Sequence, residues 1–145
     1  MNTPTVVVLF ALLAGAPSGV REPKNLDLEV AAIEPLLFEK DDGEFRPLQS
    51  AEAQAFGDLA VKVKLSGKGE AYVKSRKLKL EVKVGKLVLL SQEQEAASLN
   101  LKGTGWRFFF APTGLICGEA VLTATLIGQP TPTSVTRTIR FACSE

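Results

Sequence analysis

The chain has 145 residues, 46% of them apolar, with 17 basic against 16 acidic side chains and no histidine. That length suits one domain with a real core, and the apolar share excludes a disordered chain. The missing histidine removes Ser-His-Asp and Cys-His nucleophile systems, His-ligated zinc and axial-His haem, and a net charge of +1 argues against a general nucleic-acid binder.

In chain order, the first feature is the apolar run Val6 to Ala14, followed by Gly15-Ala16-Pro17-Ser18-Gly19. An apolar stretch leading into small, chain-breaking residues is the layout of a secretory signal peptide, here without a Lys or Arg ahead of it. Cleavage is expected after Ser18 or Gly19, which makes residues 1–19 the leader and residues 20–145 a single exported domain. A buried N-terminal strand is the other reading of the run. Its nine residues fall short of the about 20 that a spanning helix needs, so no membrane span is expected.

Period-two alternation then takes over. Leu26, Leu28 and Val30 alternate with Asp27 and Glu29, predicting an early strand. The cluster Glu39-Lys40-Asp41-Asp42-Gly43-Glu44 offers oxygens to a cation but lacks the alternating acids of a calcium loop; it reads as a charged turn between strands, and no metal is expected. Ser50 to Phe56, ended by Gly57, predicts a short turn of helix in a connection. Leu59, Val61, Val63 and Leu65 alternate with Ala60, Lys62 and Lys64 in one strand. Leu78, Leu80, Val82 and Val84 alternate with Lys79, Glu81 and Lys83 in another. Gly85-Lys86 suits a two-residue type II′ turn, pairing Val84 with Leu87 and Val82 with Leu89. Gly67-Lys68-Gly69 and Gly103-Thr104-Gly105 lack the strand-to-helix setting of a phosphate cradle and read as loop glycines.

Trp106, Phe108 and Phe110 share a face, read as the core face, in a strand ended by Ala111-Pro112. Phe109, opposite them, either packs under a loop or joins an exposed patch. In the last hairpin Ala120, Leu122, Ala124 and Leu126 face the same way as Val135, Ile139 and Phe141. The expected register pairs Leu126 with Val135, Leu122 with Ile139 and Ala120 with Phe141. With a bulge at Gly118, that register brings Cys117 and Cys143 together, a disulfide across the open end of the hairpin. An inter-sheet bridge of the immunoglobulin kind is the alternative, and a catalytic dithiol lacks its Cys-x-x-Cys spacing. Two cysteines in an exported chain suit one disulfide, worth roughly 3.5 kcal/mol by chain entropy. Several short strands, Gly/Pro turns and no crossover helices predict an all-β fold, an antiparallel immunoglobulin-like β-sandwich of about seven to nine strands.

Charge is segregated. Residues 20–58 hold ten acids against four bases, and residues 62–86 hold nine bases against two acids. Lys62, Lys64, Lys79 and Lys83 take the solvent-facing positions of their strands and form a possible face for an anionic partner: a glycan, another envelope component or an acidic protein. The simpler reading is that they keep an exposed face soluble. Nucleic acid is not expected, because the aromatics that would stack on bases fall at core positions.

The stretches Asp58-Leu59-Ala60-Val61, Leu80-Glu81-Val82-Lys83-Val84-Gly85-Lys86 and Leu99-Asn100-Leu101-Lys102-Gly103 resemble bacterial extracellular adhesion-related domains of the CARDB type. The resemblance covers about half of the exported part and implies a bacterial, non-catalytic immunoglobulin-like module at the cell surface or in the periplasm. It carries over no binding residue, and the cysteine-bearing C-terminal hairpin and lysine-rich face depart from it. The expectation is therefore a secreted or periplasmic binding or structural module of the bacterial envelope, with no cofactor, no catalytic residue and an open oligomeric state. A small secreted inhibitor of a protease or other hydrolase, wedging with loops 103–105 or 128–134, is the alternative. An enzyme working with carboxylates or lysine alone is the third.

Overall fold

The computed structural model describes residues 27–39, 43–48, 58–73, 75–112 and 118–141. Residues 1–19, expected to be a signal peptide, residues 50–56, expected to form a short helical turn, and both cysteines lie outside them. Among the described residues there is no helix, and eight strands form: β1 (Glu29–Glu39), β2 (Glu44–Pro47), β3 (Asp58–Ser66), β4 (Lys77–Val84), β5 (Leu87–Glu95), β6 (Thr104–Pro112), β7 (Gly118–Ile127) and β8 (Thr133–Phe141). They make two antiparallel sheets of four, ordered β2-β1-β3-β6 and β5-β4-β7-β8. The all-β sandwich expected from the alternation is the observed architecture.

The two central patterns hold, except that Ala60, expected at a wet position, is buried and Val84 is only half-buried. Leu59, Val61, Val63 and Leu65 of β3 face Leu78, Leu80 and Val82 of β4 and Ala120, Leu122, Ala124 and Leu126 of β7, all buried in one core. A strand whose every second side chain is apolar buries that row only by apposing another sheet, so these three strands occupy central places.

β1 departs from simple alternation. Its inward residues begin as Leu28 and Val30, and a bulge between Val30 and Ala32 then shifts the register. One extra residue exchanges the faces, so Ile33 and Pro35 turn inward while Glu34 and Phe38 turn outward. Pro35 is tolerated in mid-strand because its backbone faces β2, which starts one residue later; its carbonyl accepts the Leu48 N–H at 2.8 Å, and the β3 ladder loses no donor.

At the β4–β5 turn, Val84 pairs with Leu87 as expected, and Gly85 has φ of +56° while Lys86 does not enter the positive region, as a type II′ turn requires. Val82 pairs with Leu90 rather than Leu89, because a second bulge interrupts the ladder between Val82 and Lys83. The β7–β8 hairpin keeps its predicted faces in a register two residues from the expected one. Leu126 pairs with Thr133, Leu122 with Arg137, Ala120 with Ile139 and Gly118 with Phe141, without a break at Gly118. A two-residue slip preserves every face, so the pattern cannot sense it. Contacts with β1 set the register instead: Thr133 Oγ1 accepts the Val30 N–H at 3.2 Å, Gln129 Nε2 donates to the Leu28 carbonyl at 3.0 Å, and Arg137 Nη1 donates to the Ile33 carbonyl at 3.0 Å.

Candidate functional site

Lys62 and Lys64 lie on β3, and Lys79 and Lys83 on β4. Those strands belong to different sheets, so the four lysines project from opposite outer faces of the sandwich and do not form one basic surface. Adjacent basic strands in sequence are separated here by the connection that crosses from one layer to the other.

On the β4 side the two lysines share one carboxylate. Glu81 sits between them, 3.0 Å from Lys79 and 2.5 Å from Lys83, and hydrogen bonds from Lys83 and then Lys79 hold its carboxyl below the usual range. Lys77 reaches Glu93 at 3.7 Å, and Arg140 reaches Glu119 at 3.5 Å. Hydroxyl pairs complete the face, Thr123 with Thr136 and Thr125 with Ser134, each at 3.2 Å. This is a balanced polar surface, of the kind that keeps a sheet soluble.

The β3 side is different, because β6 runs in the opposite phase to the one expected. Residues directly opposite on neighbouring strands share a face. Phe109 pairs with Val61, Arg107 with Val63 and Gly105 with Leu65, so these enter on the core side. Phe109 is fully buried. Trp106, Phe108 and Phe110 pair with Lys64, Lys62 and Ala60 and stand on the outside, with Phe108 47% and Phe110 59% exposed. The objection to base stacking that placed these rings in the core therefore fails. The Phe108-Phe109-Phe110 triplet satisfies either phase, and the usable signal lay in its small neighbours: Gly105 and Ala111 are the residues a crowded interior accepts. At Gly105 a Cβ would come within 2.8 Å of the Ser98 carbonyl oxygen.

Two further rings that sequence reading missed join the face. The β1 bulge turns Phe38 outward, and Phe45 pairs with it from β2, ring centroids 5.1 Å apart. Phe45 in turn lies 6.4 Å from Phe110, so rings from the two edge strands meet across the sheet. Leu36 and Ala60, on an outward row, are buried beneath this meeting. Beside it Lys62 Nζ stands 3.8 Å from the centre of the Trp106 ring and Lys64 Nζ 5.3 Å from it, cation–π contacts that hold both ammonium groups against the sheet. Glu34 approaches Lys62 at 3.5 Å, and Lys64 has no carboxylate partner among the described residues. The result is a strip of exposed rings with a fixed pair of cations at one end.

A cleft of about 580 Å³ opens at one end of the sandwich, between the start of β1, the β3–β4 connection and the β7–β8 loop. Arg76 lines it at 7% exposure, its Nη1 donating to Ser75 Oγ at 2.9 Å. Two carboxylates are engaged there, Asp27 by Lys68 at 3.1 Å and Glu29 by the Ser66 hydroxyl at 2.8 Å. Both carboxylate contacts join the start of β1 to the end of β3 within one sheet, and the second sheet is tied on at that end by Gln129 Nε2 on the Leu28 carbonyl and Thr133 Oγ1 on the Val30 N–H. Of the two loops suggested as wedges, 103–105 is folded inward with Gly103 and Gly105 buried, whereas Pro130 and Thr131 of the other are exposed. No family model matches the chain, and no curated protein matches it.

Proposed function

We propose that this chain is an exported, non-catalytic binding module of the bacterial cell envelope that engages its partner through the outer face of the β2-β1-β3-β6 sheet. The observation that carries the proposal is the exposure of Phe108 and Phe110 beside Lys62 and Lys64. An exposed group of large apolar side chains on an otherwise well-packed domain is maintained against solubility and aggregation, and such patches mark interaction surfaces. An immunoglobulin-like reading of the sandwich is supported by strand order, since β1-β3-β6 over β5-β4-β7-β8 follows the arrangement A-B-E over C′-C-F-G, with β2 as an added edge. Export is supported by the apolar run before residue 20 and by the two cysteines, which immediately precede β7 and closely follow β8 in sequence and which we propose to be joined. A secreted hydrolase inhibitor is the second reading, favoured by the exposed Pro130 and Thr131 alone.

Co-sedimentation of the purified mature protein with envelope fragments tests the proposal. A Phe108→Ser/Phe110→Ser variant with an unchanged thermal midpoint is expected to remain in the supernatant, while Thr136→Ala on the opposite face sediments normally. Equal sedimentation of the double variant and the unsubstituted protein overturns it.

A further inference from the structure

We infer that the ligand of this face is an acidic polysaccharide, a linear polymer of carboxylate-bearing sugar rings lying along β6; the inference rests on the binding-module reading above. Trp106, Phe108 and Phe110 occupy alternate positions of one edge strand, so their Cα atoms repeat at about 6.8 Å along it. A regular strip of rings suits a regular polymer better than it suits the irregular relief of a folded partner. Phenylalanine offers no hydrogen bond, so what lies on Phe108 and Phe110 presents a C–H-rich surface, as the flat side of a pyranose does.

Next to that apolar strip stand two ammonium groups that are already ordered, with Glu29 at the far end of the face engaged by the Ser66 hydroxyl. The contacts of Lys62 and Lys64 with Trp106 restrict both side chains before any ligand arrives, which lowers the entropy lost on binding. Glu34 offsets Lys62 in part, and Lys64 has no such partner among the described residues. A ligand carrying one negative group beside an uncharged ring face matches this juxtaposition. A nucleic acid matches it less well, since phosphodiester binding draws on many cations at once and this face supplies two, one of them paired. The β4 face supplies the internal contrast: its lysines sit on Glu81 and, among the described residues, it carries no exposed ring cluster.

The test is titration of the mature protein with polygalacturonate, dextran, inorganic polyphosphate and a thymidine oligonucleotide. Polygalacturonate is expected to bind, dextran not to, and binding should weaken as salt rises, since both cations are exposed enough to be screened. Phe108→Ser/Phe110→Ser should weaken it by at least about tenfold, and Lys64→Gln should also weaken it while leaving the thermal midpoint unchanged. Polyphosphate binding as tightly as polygalacturonate would mean that charge alone is read, and the inference would fall. It would also fall if the oligonucleotide bound more tightly, or if the face variants bound polygalacturonate normally. Loss of envelope sedimentation in the Phe variant, with no competition by polygalacturonate, sinks the ligand class and leaves the binding module standing. Normal sedimentation of that variant sinks both.

Discussion

Phe109 and Phe110 are neighbours in sequence with opposite surroundings. Phe109 fills the core beneath Val61, whereas Phe110 lies at the surface against Phe45. Truncating a buried phenylalanine removes its transfer energy and leaves a cavity, so Phe109→Ala should destabilise the fold by about 3–5 kcal/mol. Phe110→Ala should change stability by less than about 1 kcal/mol. Urea unfolding of the two variants checks the phase of β6 directly, because the reverse order would restore the expectation that Phe110 is the core residue. Glu81 gives a second measurement at this scale. Its carboxyl is held below the ordinary value of 4.5 by hydrogen bonds from Lys83 and Lys79. A depressed folded-state value means that the ionised form favours folding. The contribution is complete above the ordinary carboxylate range and disappears as pH falls through the lowered value. Thermal midpoints of the unsubstituted protein and Glu81→Gln should therefore differ at neutral pH and converge as the pH is lowered beyond 4.5.

Among the elements, loops hold the registers that strands leave open. Residues 67–69 and 100–104 clasp one another at the end of the β3–β6 pair. The Gly67 N–H donates to the Gly103 carbonyl at 2.9 Å, and the Asn100 side-chain oxygen accepts from the N–H groups of Lys102 and Thr104. Gly103 has φ of +70°, and a Cβ there would overlap the Gly67 carbonyl oxygen. The backbone can approach this closely only because no side chain stands between. Gly103→Ala is expected to lose more than about 1 kcal/mol, read as a lower denaturation midpoint. At Gly85 a Cβ would meet open space, so only the left-handed backbone penalises a substitution there. The two bulges work at the same scale. The one in β1 rotates Glu34 and Phe38 to the outer face, and without it the Phe38–Phe45 pair would not stand on the same face as Phe110.

For the whole molecule, burial on both sides of the interface accounts for which rows were legible. The inward rows of β3, β4 and β7 could be read from consecutive residues, because an alternation of Leu or Val with Lys, Ser or Thr has one low-energy orientation at a water boundary. The same information placed the β4–β5 turn at Gly85. It located the β7–β8 faces but not their register, since pairs two residues apart are equivalent to a period of two. It also did not reach β2 or the greater part of β1, where a bulge breaks the period and Pro35 interrupts the strand signal. Composition by itself determined that the chain folds around one apolar core and that histidine chemistry is not available to it. Tertiary structure alone decided which strands share a sheet, and with that the phase of β6 and the separation of Lys62 and Lys64 from Lys79 and Lys83. The physical reason is range. Alternation is written in neighbouring residues, whereas a strand's partner, and therefore the company its outward side chains keep, depends on contacts between residues far apart in the chain.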